Sequence, residues 1–365
     1  MDKVTLKKVS YGQLRETDWL TDNDPYGMAA FVDENVRQAF LQSPNNDYDE
    51  KTAVLLAVDG NDVVGRHLLY GTAIKNGGTI IKAQSSGSTE VHESQRGKGI
   101  GSMINKWTLG NDEYPVYICS LLSPACLRLM EKKENECTIF DYPELVKIVN
   151  TEAAFAVRGI TGSLLKICKA VGNFGVHCLD LFNHIKLCKL KKTYCIEQLT
   201  TVPSWAGDMC LNDGHKFAEY HDVAWLQWNL SHNLSGQLED RQSFYAIYDQ
   251  YKKPVGFFLT KERRRRDIEK YDNMLCGTLC EWASISDNLK ESDINLLALS
   301  TFSKDCYFVL TITDSPTTVK ELKRMGYLNH GSMQMGFKDK YHQYPDMADQ
   351  SKWRIRYGCC NSILY

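Results

Sequence analysis

Residues 91–104 read VHESQRGKGIGSMI, with Gly97, Gly99 and Gly101 alternating between an extended run and a helical one. Glycine has no Cβ, so the chain can turn tightly there and a ligand can come close to the main chain. A loop that feeds directly into a helix leaves the first N–H groups without partners. Those amides, with the helix dipole, favour an anion. Arg96 and Lys98 add positive charge. The stretch predicts a strand–loop–helix unit suited to a phosphate or pyrophosphate. It is not a Walker loop, because Lys98 is followed by Gly99 rather than Ser or Thr, and neither Gly97 nor Gly99 starts a fitting GxGxxG. Taken alone, the pattern also allows a plain glycine turn with a solvated Arg and Lys.

The surrounding sequence alternates in type. VTLKKVS near the N-terminus reads as a short strand, and residues 27–41, GMAAFVDENVRQAFL, have apolar positions at helical spacing. TAVLLAVDG, a turn at Asp59–Asp62, and VVGRHLLYGTAI predict a hairpin. Residues 79–92 read as extended, and a helix follows the glycines through about Trp107. VYICSLL (116–122) reads as a buried strand. Pro124 suits a helix start continued by ACLRLMEKK, and TIFDYPELVKIV closes the unit. The order β-α-β-β-β-α-β-α-β is an α/β arrangement.

At 365 residues the chain has room for two or three domains. A net charge of −2 gives no global attraction to nucleic acid, and the aromatics are not interleaved with basic residues. Thirteen cysteines follow an N-terminus, MDKVTLKKVS, that lacks the apolar centre of a signal peptide; this predicts a reduced, cytoplasmic protein. No run reaches the roughly 20 apolar residues of a membrane span. The most apolar region, 159–190, is broken by Lys166, Lys169, Asp180 and Lys186. Residues 151–193 carry Cys168, Cys178 and Cys188 without metal-ligand spacing. They predict a helical connector covering a domain face, and their basic amphipathic character also suits a membrane surface.

The second half echoes the first. An offset of 191 residues takes Gly65 to Gly256, Glu90 to Glu281 and VYICSLL onto YFVLTIT (307–313). TTVKELKRMGY then follows, as ACLRLMEKK did, so one supersecondary unit is repeated. The glycine device is not, because Gly97, Gly99 and Gly101 fall opposite Asn288, Lys290 and Ser292. The expected divisions are 1–150, a connector at 151–193, a second copy at 194–340, and a tail at 341–365 that packs back across a domain. KERRRRDIEK carries four arginines in a row that could grip phosphate, but it reads first as the solvated face of a loop. Cys359 and Cys360 cannot bridge each other without strain.

Arg96, Gly99 and Gly101 spell R-x-x-G-x-G between a strand and a helix. This resembles the signature of the GNAT superfamily of acyl-CoA N-acyltransferases. The element order in 1–150 is similar to that fold, and V-H-E-S-Q resembles its strand-to-loop approach, with Glu93 where proline is common. The resemblance implies an α/β (α+β) fold: a mixed, mostly antiparallel sheet flanked by helices, repeated in a degenerate second copy. It implies that amides from Arg96 to Gly101 hold the pyrophosphate of coenzyme A. The cofactor-binding residues would be Val91, Arg96, Gly97, Lys98, Gly99, Ile100, Gly101 and Ser102. The strand ending at Val91 would splay from 116–122, the pantetheine would lie in the gap, and an N–H near Val91 would face the thioester carbonyl. The implied reaction is acetyl transfer from acetyl-CoA to a primary amine of a small molecule by direct attack. It needs no metal, nucleic acid or membrane span.

The acid and base are harder to place. Family members often put Glu or His on the strand face shared with Val91. Alternation gives that face Ser85, Gly87 and Thr89 and turns Glu90 and His92 away, unless a bulge reverses the parity. The candidate catalytic residues are therefore Ser85 and Thr89, holding a water, and Glu90. A family tyrosine in the helix after 116–122 has no counterpart, since Leu129 or Met130 stands there and Tyr142 lies on the next strand. These gaps support a second reading, a non-catalytic CoA-binding or scaffold protein with a relic site. Paired GNAT-like domains also occur in aminoacyl transferases of cell-wall assembly, which usually lack an intact R-x-x-G-x-G. The acceptor is expected in the groove between the two copies.

Overall fold

The structure, a computed structural model, describes residues 4–16, 34–45, 49–120, 122–156, 158–232, 240–265 and 274–358. The first half runs β1 (Thr5–Ser10), α1 (Tyr11–Glu16), α2 (Glu34–Leu41), β2 (Thr52–Asp59), β3 (Asp62–Asn76), β4 (Thr79–Val91), α3 (Ile100–Gly110), β5 (Val116–Ser120), α4 (Pro124–Met130) and β6 (Thr138–Ile148). Helices α5 (Glu152–Ala156), α6 (Gly162–Leu179) and α7 (Leu181–Thr193) connect it to the second half. That half runs β7 (Cys195–Leu199), α8 (Ser204–Leu211), β8 (Phe217–Glu219), α9 (Val223–Ser231), β9 (Arg241–Tyr248), β10 (Pro254–Arg265), β11 (Met274–Ser284), α10 (Glu291–Leu299), β12 (Phe308–Ile312), α11 (Pro316–Arg324) and β13 (Leu328–Asp339). Of the helix expected at 27–41, the part from Glu34 is helical and 27–33 lies outside the described residues.

The strands form one mixed, mostly antiparallel sheet in the order β1-β2-β3-β4-β5-β13-β6-β12-β11-β10-β9-β7, with β8 beside β3. The two halves mirror each other, except that they exchange their last strands. TIFDYPELVKIV reads as closing the first half, but β6 pairs with β12, and β13 takes the place beside β5. The exchange is possible because β6 is followed by a long helical connector rather than a tight turn. β6 and β13 then pair with each other along most of their length and join the halves into a single sheet.

In each half the sheet contains one short parallel contact. β4 meets β5 only at Ala83–Ser85, and β11 meets β12 only at Cys276–Thr278. Beyond these points the strands diverge and leave a slot. Helices α3 and α4 cover one face of the first half through Ile100, Ile104, Leu109 and Met130. Helices α1 and α2 bring Leu14 and Phe40 onto Leu68 and Tyr70 of β3, on the other face. Phe140, Met335 and Trp353 form a core cluster at the seam, so the C-terminal segment packs where the exchanged strands meet.

Two sequence readings change. Gly65 stands across from Val91 and Gly256 across from Ser284, so Val91 answers to Ser284, and Glu281 falls level with the middle of β4 rather than with Glu90. Residues 261–265 of KERRRRDIEK are not a loop but the end of β10, with Lys261 and Glu262 buried; 266–270 lie outside the described residues. Cys359, Cys360 and the rest of the chain to Tyr365 also lie outside them.

Candidate active site

The glycine stretch forms the turn its composition predicts. Gly97 and Gly99 both have φ of +82°, in the left-handed region that β-carbons disfavour. No side chain caps α3, and the first of its amides with a main-chain partner is Met103, bonded to the Gly99 carbonyl at 3.0 Å. The amides of Ile100, Gly101 and Ser102 are thus left at the open helix end. A Cβ at Gly97, Gly99 or Gly101 would meet nothing within 4 Å, so this surface is free for a ligand. Arg96 folds back, its Nε donating to the Val91 carbonyl at 3.2 Å, and Lys98 donates to Gln95 at 2.6 Å. Beside α3, a groove of about 580 Å³ is lined by Lys106, Lys132 and Lys338.

The slot between β4 and β5 lies next to the loop, with a volume of about 550 Å³. The amide of His92 bonds to Val64 of β3 at 3.0 Å. Strand alternation therefore turns the Val91 amide to the opposite, open edge. A bulge sits in the wall of this slot. Arg66 pairs with Glu90 but Leu68 pairs with Gly87, so Ser88 and Thr89 together face His67. Ser88 takes a φ of +48° to make the bend.

The bulge reverses the parity of β4 and redistributes the candidates. Ser85 pairs with Tyr70, so its hydroxyl lies on the α1–α2 face; it is fully buried and does not line the slot. The expectation that Ser85 shares a face with Val91 is therefore corrected. Ser86 takes that side, with its Oγ 2.5 Å from the Tyr117 hydroxyl. Thr89 lines the slot with its Oγ1 2.6 Å from Nδ1 of His67. Burial pushes His67 down to about 4, so the ring is neutral at physiological pH. Glu90 also lines the slot, but Arg66 holds it at 3.0 Å. Residues from both faces thus border a single opening through the sheet.

Among the slot residues that escaped the sequence reading are Ser86, Tyr117, Cys119 and Cys126. VYICSLL looked like an ordinary buried strand, and Pro124–Met130 an ordinary helix. Burial holds the Tyr117 phenol protonated far above its usual range and raises the Cys126 thiol. Tyr142 does not reach the slot; it packs in the seam core with Phe140. A strand-spacing argument that tracked the reversed parity would have found Ser86 and Tyr117, but the bulge itself leaves no sequence signature.

The corresponding slot of the second half is closed to an anion. Asp293 caps the start of α10 by accepting from the Lys290 amide at 3.2 Å, and Glu291 stands in its first turn. The C-terminal segment enters the slot from outside, with the Gly358 amide bonded to the Cys280 carbonyl at 2.8 Å. Arg354 reaches Asp213 at 2.9 Å and Glu281 at 3.4 Å. Arg356 reaches Glu291 at 2.6 Å and Asp314 at 2.8 Å, and lies over the Trp282 ring at 4.1 Å. His221 is fully buried between Glu219 and Glu281. Although burial disfavours its charge, those two carboxylates raise its pKa. The buried acids and bases compensate one another, which is what allows them to stay charged in the interior.

No family model and no curated protein matches the chain. Solved structures do. A GCN5-related N-acetyltransferase from Anabaena variabilis aligns at a TM-score of 0.53 and 13% identity, covering 93% of this chain and 73% of that one. The N-myristoyltransferase of Saccharomyces cerevisiae with bound myristoyl-CoA aligns at 0.55 and 11%, covering 93% and 83%. A probable N-acyltransferase of unknown function from Enterococcus faecalis aligns at 0.51 and 10%, covering 92% and 72%. The chain has the fold these proteins share, across nearly its whole described length.

Proposed function

We propose that this chain, on its GNAT fold, is an acyl-CoA-dependent N-acyltransferase. The observation that carries the reading is the adjacency of two features on one strand: the open α3 amides at the glycine loop and the slot beside β4. The loop suits the pyrophosphate of coenzyme A. The groove with Lys106, Lys132 and Lys338 suits its remaining phosphate and nucleoside. The open edge from Val91 back to Gly87 offers amides to the pantetheine and to the thioester carbonyl. An amide there stabilises the oxyanion formed when an amine attacks, typically by about 3–4 kcal/mol. The structural neighbours include a protein with bound myristoyl-CoA, which supports a CoA-borne acyl donor.

The acid and base are assigned to slot residues. Tyr117, kept protonated and oriented by Ser86, donates to the departing thiolate. The amine loses its proton to a water held by Thr89, whose hydroxyl is fixed by His67. Glu90 orients the approach through its pair with Arg66. Ser85 has no part in this reading. The donor in this reading is acetyl-CoA, with its acyl group in the slot, which ends where β4 and β5 pair at Ser85 and Ile118. The acceptor is a primary amine of a small molecule, entering from the side opposite α3. Eleven described cysteines are free thiols, which fits a reducing, cytoplasmic setting.

The test is thermal denaturation with acetyl-CoA, CoA, ATP and NAD, followed by thiol release from acetyl-CoA with a panel of amines. A ligand at a hundred times its Kd stabilises by about 2.7 kcal/mol. A shift with CoA species alone, and turnover with an amine, are expected. Binding without turnover by any amine would support the second reading, a relic site retained for CoA binding. No shift with any CoA species would remove both.

A further inference from the structure

Helices α6 and α7 carry an apolar stripe that faces solvent. The Asp180 amide bonds to the Val176 carbonyl at 2.9 Å, and the His184 amide to the Asp180 carbonyl at 2.8 Å, so helical bonding runs on from one helix to the other. Leu164, Ile167, Val171 and Phe174 on α6 are followed by Leu181, Phe182 and Ile185 on α7. These seven side chains are between 49% and 80% exposed. At about 3.6 residues per turn these positions fall along one side of the helix. The opposite side holds the protein: Asn173 accepts from the Thr151 amide at 2.8 Å, Gly172 lies against Phe155, and Leu187 and Leu190 pack on the second-half core. The segment thus packs on the rest of the chain with the side opposite this stripe.

The charges beside the stripe have one sign. Lys166, Lys189, Lys191 and Lys192 are exposed. The acid of this segment, Asp180, is taken by Lys147 at 2.5 Å and by Asn183 at 2.9 Å. Lys169 is paired with Glu152, and Lys186 with Asp293 at 2.5 Å. Two copies meeting through this face would bring lysine against lysine, so the charge argues against self-association. An anionic bilayer complements both features, with acyl chains for the apolar stripe and headgroups for the lysines. Among the described residues no helix is long and apolar enough to cross a membrane, so the segment would lie in the interface.

We propose that α6 and α7 dock this protein on an anionic membrane surface, with Phe174 and Phe182 entering the headgroup region. The inference does not depend on the acyl-transfer reading.

The test is flotation of the full chain with vesicles of phosphatidylcholine alone and with about a third of anionic phosphatidylglycerol. Binding to the anionic vesicles is expected to exceed neutral binding by about tenfold and to fall at high salt. Phe174→Glu with Phe182→Glu should lower it by about tenfold or more. Because both residues are exposed, these changes should leave the circular dichroism and the Tm unaltered. A second pair, Leu164→Ser with Ile167→Ser, gives the same readout without added charge. Ile80→Glu, on another exposed patch, should bind as the unaltered chain does. The proposal is overturned if the chain floats with neither vesicle, or if the stripe variants float as well as the unaltered chain. A dimer in sedimentation that the stripe variants dissolve, without vesicle binding, would overturn it in favour of a second copy.

Discussion

The Tyr117 hydroxyl lies 2.5 Å from Ser86 Oγ, and both groups line the slot between β4 and β5. The contact depends on the bulge at Ser88 and Thr89, which leaves Ser86, rather than Ser85, on the same side as Val91. In the proposed reaction this phenol, which burial keeps protonated, is the group that gives a proton to the departing thiolate.

Tyr117→Phe removes that donor and keeps the ring. The expected result is a fall in kcat of about a hundredfold with little change in the KM for acetyl-CoA. Ser86→Ala should cost less, since it misorients the phenol without removing it. Steady-state kinetics on both variants checks this; an unchanged kcat in Tyr117→Phe would exclude Tyr117 as the acid.

Gly99 and Gly101 separate backbone strain from ligand contact. Gly99→Ala forces a β-carbon into a φ of +82° and should destabilise the free protein by about 1–2 kcal/mol. Gly101 is not in the left-handed region and has open space around it. Gly101→Ala should therefore leave the free protein's Tm nearly unchanged while removing much of the shift produced by CoA. Melting curves with and without CoA decide it. A full CoA shift in Gly101→Ala would mean that the ligand does not approach this amide.

His215 makes stability fall in mild alkali. Asp213 and then Asp314, whose carboxylates lie 3.5 Å and 3.1 Å from its ring nitrogens, raise it to about 9. A raised pKa stabilises fully below the unfolded value near 6.5, and the contribution is lost as pH rises through 9. The side chain is 30% exposed, so screening limits the effect to about 1–2 kcal/mol. Tm should drop between pH 6.5 and 9, and His215→Gln should flatten that slope. In acid the sign is opposite: Asp314, held down to about 2 mainly by Arg356 against the cost of burial, supports the fold until pH falls from about 4 toward 2.

Arg354 is buried against Asp213 and Glu281. Arg354→Ala removes one of the cations that compensate Asp213 and Glu281, leaving Lys75 and His215 on the first and His221 and Arg356 on the second, and should cost about 3 kcal/mol. A loss of roughly 10 °C in Tm, or failure to accumulate as folded protein, is expected. A Tm within a degree or two of the unaltered chain would show that the network is dispensable.

Cys126 borders the slot, and burial raises its thiol. It should alkylate more slowly than the exposed Cys178 and Cys188, and saturating CoA should slow it further while leaving those two unaffected. Peptide mass spectrometry over a time course follows all three. Equal rates with and without CoA would place the pantetheine elsewhere.

The features legible along the chain are local in origin. Gly97 and Gly99 announced a backbone that only glycine adopts cheaply. Alternation located the strands, and Pro124 marked a helix start. The repeat indicated a second half without the glycine device, and Asp293 at the start of α10 shows why no anion is needed there. Tertiary structure alone decided the rest, because it depends on partners far apart in the chain. The exchange of β6 and β13 requires two strands nearly two hundred residues apart to compete for neighbours, and neither has a pattern that names its partner. The bulge is set by the pairing of β3 with β4, and one extra residue there was enough to move Ser85 out of the slot and Ser86 into it. The charges of the second half find compensation in a C-terminal segment whose arginines look unremarkable in sequence. The stripe on α6 and α7 was legible as an amphipathic pattern, but which side faces the protein was settled only by what packs against Gly172 and Asn173.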